Sequence, residues 1–230
     1  DFCKSVNASY ILRGIRNSSD YLYENAIAQM NKAMAENIET IYKGHDLAWY
    51  QQKPVALTPF GIPKDTFVVG CVANNRPRKG LSVLLSATHH FAEIPHIHLL
   101  LVGAGMDSDE IRKQIKASPM AHRIHVAGFR DDAPELIAAC DAAVLPSIKR
   151  EGLPKTVIEA MVFGVPAIVS NTGGSSELVN NAESGFIVEP GNSEQIAEAI
   201  IKLSKNQTLC EMLGKNARQR IHDNFHTAQS

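Results

Sequence analysis

The sequence predicts an α/β fold: a doubly wound parallel sheet, Rossmann-like, with an N-terminal βαβ unit. Three observations carry this. Short continuous apolar runs recur at 67–73, 97–102, 142–145 and 167–170, as expected of strands buried on both faces of a parallel sheet. Between them lie segments with helical spacing of apolar residues. Most of these runs end in a loop rich in glycine or charge, and in such sheets ligands bind beyond the carboxyl ends of the strands.

Taken in order, residues 8–12 read as a strand and Ser18, Ser19 or Asp20 as the cap of a helix over 21–36. That helix places Leu22, Ala26, Ile27, Met30 and Met34 at an approximate helical period. Residues 38–42 form a second strand, so the opening is a compact βαβ unit. Residues 45–66 are a turn-rich connection with Trp49, Pro54, Pro59 and Pro63. The regular alternation follows: strand 67–73, helix 79–92, strand 97–102, helix 108–117, strand 123–127, a helix from 133, strand 142–145, a helix from 154 and strand 167–170. A short helix at 175–179, strand 185–188 and two helices over 193–205 and 208–224 complete it. The organisation is thus a segment 1–42 followed by a domain 43–230.

Lysine plus arginine (23) nearly cancels aspartate plus glutamate (24), which gives nucleic acid binding through bulk charge no support. The four cysteines are far apart and form no metal-ligand pair. Cys71 and Cys140 fall in apolar runs, read as buried thiols and fit a reducing, cytoplasmic setting. No apolar run approaches the roughly 20 residues of a membrane span. The chain opens without Met or a signal-like run and reads as the start of a fragment.

The chemistry gathers at the predicted strand ends. Asn74 to Gly80 is a cationic loop with Arg76, Arg78 and Lys79 at a helix start. Gly103-Ala104-Gly105 and Gly128-Phe129-Arg130-Asp131-Asp132 follow the next two strands. After 142–145 come Glu151-Gly152-Leu153-Pro154 and then Lys155, Thr156 and Glu159, so that seven residues separate two carboxylates, one in a loop and one inside a helix. Thr172-Gly173-Gly174 follows the strand at 167–170. A helix N-terminus suits an anion. Cations neutralise phosphate, and carboxylates accept from hydroxyls. Together these groups describe a site for a phosphorylated, polyhydroxylated ligand. An ordinary loop-to-helix junction with two solvated glutamates is the alternative.

Residues from about 43 to 228 resemble the C-terminal, donor-binding half of a GT-B glycosyltransferase of the retaining group 1 family. The match rests on Arg78-Lys79-Gly80, Leu100 to Gly105, Val126 to Phe129 with Asp131-Asp132, Glu151-Gly152-Leu153-Pro154 through Glu159-Ala160-Met161, Gly164-Val165-Pro166, and Gly185 to Val188 with Pro190-Gly191. The resemblance implies a nucleotide diphosphate sugar, UDP- or GDP-linked, as donor substrate, with no cofactor and no metal. It implies Lys79 and Glu151 as the catalytic pair, Lys79 on the diphosphate and Glu151 on the donor sugar. Glu159 would hold the ribose, Phe129 and Arg130 would lie by the base, and the N–H groups of Leu153, Lys155 and Thr156 would meet the phosphate. Arg76, Arg78, Gly103, Gly152 and Pro154 complete the expected binding set. One position departs from the pattern: Ala73 stands where the family often has an arginine, six residues before the lysine.

Residues 1–41 resemble an internal stretch of pantetheine-phosphate adenylyltransferase, through Ile11 to Asn17 with Asp20, Tyr23-Glu24 and Ala28 to Asn31. The nucleotide motif and Ser-rich loop of that enzyme are missing, so no adenylyltransferase activity is expected. This resemblance implies a composite, even engineered, chimera, with an inactive scaffold as the alternative function. The glycosyltransferase family's acceptor site lies in an N-terminal half, which the sequence does not show. The parent enzyme would carry that domain or a peripheral membrane contact, transfer by this chain alone would be weak, and uncovered apolar surface would favour a homodimer.

Overall fold

In the computed structural model, residues 50–225 are described. The predicted βαβ unit and Trp49 lie outside them. Six strands form one parallel sheet: β1 (Phe67–Val72), β2 (Ile97–Val102), β3 (Ile124–Gly128), β4 (Ala142–Leu145), β5 (Ala167–Ser170) and β6 (Gly185–Val188). Their spatial order is β3-β2-β1-β4-β5-β6. Seven helices alternate with them: α1 (Leu81–Phe91), α2 (Asp109–Ala117), α3 (Ala133–Ala138), α4 (Lys155–Val162), α5 (Ser175–Leu178), α6 (Ser193–Ser204) and α7 (Gln207–Asn224). This is the doubly wound, Rossmann-like arrangement expected from the sequence. β2 is buried along its whole length and β1 over its central four residues, which is why both read as unbroken apolar runs. Residues 50–66 hold only a single 3-10 turn, Thr58–Phe60, in keeping with the proline-rich connection.

Chain order reverses between β1 and β4, which pair in register through Val69 with Ala142 and Gly70 with Ala143. β1 winds outward to β2 and β3, β4 outward to β5 and β6. The carboxyl ends of β1 and β4 are therefore the topological switch point, where folds of this kind bind ligands.

Two boundaries differ from expectation, each for a local reason. The helix predicted from 79 starts at Leu81, because Pro77–Lys79 is a 3-10 turn closed by Gly80 in the left-handed region (φ 68°). A Cβ at Gly80 would lie 1.9 Å from the Pro146 carbonyl oxygen. Only glycine lets the loop after β1 and the loop after β4 approach this closely. The strand predicted from 123 starts at Ile124, because the buried Arg123 ends a 3-10 turn. There its guanidinium donates to the carbonyls of Ala92, Ile94 and Ile97, satisfying groups just past the end of α1.

Away from the switch point, a second polar cluster ties β2 to β3. The rings of His98 and His125 stack at 5.2 Å, with Nδ1 of His98 2.9 Å from Nε2 of His125. His125 Nδ1 lies 2.9 Å from the Phe60 carbonyl oxygen. A carbonyl only accepts, so His125 donates from Nδ1 and accepts at Nε2 from His98. Burial, and then the neighbouring His125, Arg123 and His122, push His98 down to about 4. Burial lowers His125 as well. The pair is a neutral structural link.

Candidate functional site

Three loops build the site. The first leaves β1 and carries Arg78 and Lys79; the second leaves β4 and carries Ser147 and Glu151. They are joined by the Ile148 N–H donating to the Arg78 carbonyl (2.9 Å). The third leaves β5: Gly173 bridges Glu151, and the Gly174 N–H donates to the Glu151 carbonyl (3.2 Å). The backbone of Glu151 is thus clamped between the Gly-Gly turn and the cationic loop.

The residue is 4% exposed, and three donors meet on one side-chain oxygen. Oε1 accepts from Ser147 Oγ at 2.8 Å, Lys79 Nζ at 2.9 Å and Arg78 Nη1 at 3.2 Å. A carboxylate this far out of water stays ionised only when paired, and two cations supply the pairing. Among the described residues all three of these donors meet Oε1, and none of them meets Oε2.

Glu159 is equally buried, at 4%, but differently held. One turn back on α4, Lys155 Nζ lies 2.9 Å from its Oε1. That lysine side chain is 66% exposed, and its pKa is raised mainly by this hydrogen bond. Tyr50 is close enough that the carboxylate adds to burial in raising its phenol. Its ring packs edge-on to Phe163, 6.3 Å between centroids.

Between the two acids, α4 begins at Lys155, with Pro154 as its N-cap residue and no capping side chain. The Pro154 carbonyl accepts from Val157 and Ile158. The N–H groups of Lys155 and Thr156, in the first turn, have no helical carbonyl to reach, as at any helix N-terminus. Gly152 and Leu153 are half-buried, and Leu153 packs on the core.

The remaining expected residues stand apart. Arg76 is exposed, and its carbonyl accepts from the Lys79 N–H (2.8 Å); its side chain is not part of the Glu151 cluster. Gly103 is buried, and a Cβ there would lie 2.0 Å from the Ala73 carbonyl oxygen. Packing between the ends of β1 and β2 thus accounts for this glycine, without a ligand. The same contact puts Ala73 at the buried end of β1. Phe129 is 69% exposed. Arg130 donates from Nε and Nη2 to the two carboxylate oxygens of Asp132, both at 2.7 Å, and lies over the Phe60 ring at 5.5 Å. His89 and His90 are exposed on the last turn of α1; Cys71 and Cys140 are buried, as expected. A shallow depression of about 560 Å³ lies elsewhere, between His90 and residues 189–194. No lysine or arginine lines it, so it is a poor seat for phosphate.

Two residues of the site were not legible in the sequence. Ser147 read only as the end of a strand, and its spacing of four from Glu151 means nothing until the loop folds back. Tyr50 lay in a turn-rich connection with no motif at all.

With this geometry in place, comparison with known proteins is decisive: residues 53–220 match the family described as glycosyl transferases group 1. The chain belongs to this family. A curated relative of this glycosyltransferase domain is the Escherichia coli UDP-Gal:alpha-D-GlcNAc-diphosphoundecaprenol alpha-1,3-galactosyltransferase, 29% identical over 169 residues, 72% of this chain and 43% of the relative. Among solved structures, Anabaena HepE in complex with UDP-glucose superimposes with a TM-score of 0.73 at 28% identity, over 83% of this chain and 54% of that one. A C-terminal domain of a group 1 protein, LpcC from Francisella tularensis, shares the fold with a TM-score of 0.69 at 23% identity, over 80% of this chain and 99% of that one. The chain spans about half the length of the full-length relatives it matches. Among the described residues, no helix of the glycosyltransferase domain is long and apolar enough to cross a membrane.

Proposed function

We propose that this domain binds the nucleotide diphosphate sugar donor of a retaining glycosyltransferase. The observation that carries this reading is the meeting of Lys79 and Arg78 with the buried Glu151 at the switch point, beside the free N–H groups that open α4. The diphosphate would take Lys79 and the N–H groups of Lys155 and Thr156. Glu151 would accept from hydroxyls of the donor sugar through Oε2, and Glu159 from the ribose. The exposed Phe129 would lie by the base. Arg78 supports Lys79 in the position left open by Ala73.

In the whole protein the sugar would pass from the diphosphate to an acceptor hydroxyl with its anomeric configuration kept. The bond from the anomeric carbon to the diphosphate oxygen breaks with its electron pair leaving on that oxygen, the acceptor oxygen bonds to the anomeric carbon, and the acceptor's proton goes to the departing diphosphate. Preorganised cations and N–H dipoles around the leaving group favour this step because they need no rearrangement as charge develops. The solved neighbour with UDP-glucose supports a uracil nucleotide; a GDP-linked donor is the competing form. The comparisons give the chimeric reading of residues 1–41 no support; the family match covers residues 53–220.

Isothermal calorimetry of the full 230-residue chain with UDP, GDP and their sugar conjugates tests the proposal. One nucleotide series should bind with micromolar to millimolar affinity, and Glu159→Ala should weaken it. No binding by any of the four would sink the proposal.

A further inference from the structure

We propose that Glu151 is a built-in counter-ion that makes the site discriminate between a nucleotide sugar and the bare nucleoside diphosphate, with Ser147 holding it in place. This rests on the donor-binding reading above.

All three donors around Glu151 converge on Oε1, and two of them are the cations that a diphosphate would use. The carboxylate and a diphosphate therefore draw on the same two positive charges and repel each other across them. The side chains involved are 6% exposed for Glu151, 16% for Lys79 and 26% for Arg78, so water screens this competition only in part. For a bare nucleoside diphosphate, Glu151 is only a rival anion. A sugar on the diphosphate changes its role, because sugar hydroxyls can donate to Oε2 and make the same carboxylate a ligand. The consequence after transfer is weak retention of the nucleoside diphosphate, the species that must leave.

The device works only if Glu151 stays put while the cations turn toward phosphate. Ser147 is the group suited to that. It is fully buried, uncharged and on the same loop as Glu151. It follows Pro146, whose carbonyl is pinned against Gly80. The Ser147 hydroxyl is fully buried against Glu151 Oε1, so the Ser147–Glu151 bond persists when the partly exposed Lys79 and Arg78 are recruited. Ser147 is accordingly a positioning residue, acting through Glu151 and not on the ligand.

Calorimetry of the full chain with UDP and UDP-glucose, or with GDP and GDP-mannose if the guanine series is the one bound, separates the possibilities. Glu151→Gln should bind the bare diphosphate about fivefold tighter and the nucleotide sugar about tenfold more weakly, the scale of one partly screened charge and one buried hydrogen bond. Ser147→Ala should leave the bare diphosphate within about twofold and weaken the nucleotide sugar about fivefold, the scale of one lost neutral hydrogen bond. Raising salt should narrow the gain in Glu151→Gln. Parallel losses for both ligands in either variant would overturn the inference while leaving the donor-binding reading standing. Failure of the unmodified chain to bind any of the ligands would overturn both. Thermal melts confirm that each variant folds; if Glu151→Gln does not, the split measured in Ser147→Ala decides.

Discussion

Two polar clusters cross the sheet's surroundings, and they solve the same problem in opposite ways. At the switch point, the buried Glu151 surrounds itself with Lys79, Arg78 and Ser147. Toward the β3 edge, His98 and His125 give up charge altogether and chain neutral hydrogen bonds to the Phe60 carbonyl. Both join segments far apart in sequence. Only the charged one leaves a carboxylate oxygen and cations to offer a ligand. The first cluster stands at the carboxyl edge of the sheet, where folds of this kind bind ligands; the second links β2 to β3 and to the Phe60 carbonyl.

The comparison can be broken most severely at the hinge of the charged cluster. Gly80→Ala forces a Cβ into the Pro146 carbonyl at a positive φ, and should cost about 3 kcal/mol or more of unfolding free energy. Urea denaturation reads this directly. An unchanged midpoint would mean that the two loops are not held together as described.

Next in size, Lys79→Met should weaken nucleotide binding roughly a hundredfold, about 2.7 kcal/mol, because it strips a partly buried cation from the phosphate seat. The histidine pair should not respond, so the acid limb of the stability curve stays where it was. That control ties the loss to the charged cluster alone.

Acid sharpens the other half of the comparison. The folded-state pKa of His98 is depressed from 6.5 to about 4. Its contribution is therefore fully present above pH 6.5 and is lost as pH falls toward 4, since the unfolded chain then binds the proton and the folded chain resists it. A loss on the order of 2 kcal/mol is expected over that window. His98→Asn should flatten the slope, as followed by chemical denaturation at stepped pH. A slope that persists undiminished would place the titration elsewhere.

The smallest effect belongs to the exposed partner of the second acid. Lys155→Met removes an i,i+4 pair whose lysine is mostly in water, and stability should shift by about 0.5 kcal/mol or less. A shift several times larger would show Glu159 to be as dependent on its lysine as Glu151 is on its own two cations.

Much of this was legible in the sequence, for identifiable reasons. Unbroken apolar runs such as 97–102 could only be strands covered on both faces, and their alternation with helical periods implied the parallel sheet. The loops bearing Lys79 and Glu151 stood out because charge and glycine sit where strands end. The sequence also put Arg76, Gly103 and Arg130 in the same group, and residue type could not say what each would meet. Arg130 pairs with Asp132, Gly103 packs on the Ala73 carbonyl, and Arg76 is exposed, outside the set of donors to Glu151.

By itself, then, the sequence determined the alternation of elements, the edge on which chemistry would collect and the E-x7-E pair at its centre, because these depend on local period and spacing. Tertiary structure alone decided that Lys79, Arg78 and Ser147 share one oxygen of Glu151 while Glu159 makes do with Lys155. That choice depends on how β1 and β4 lie side by side, with Arg78 and Glu151 separated by 73 positions in the chain. A contact across that separation leaves no trace in either stretch read alone.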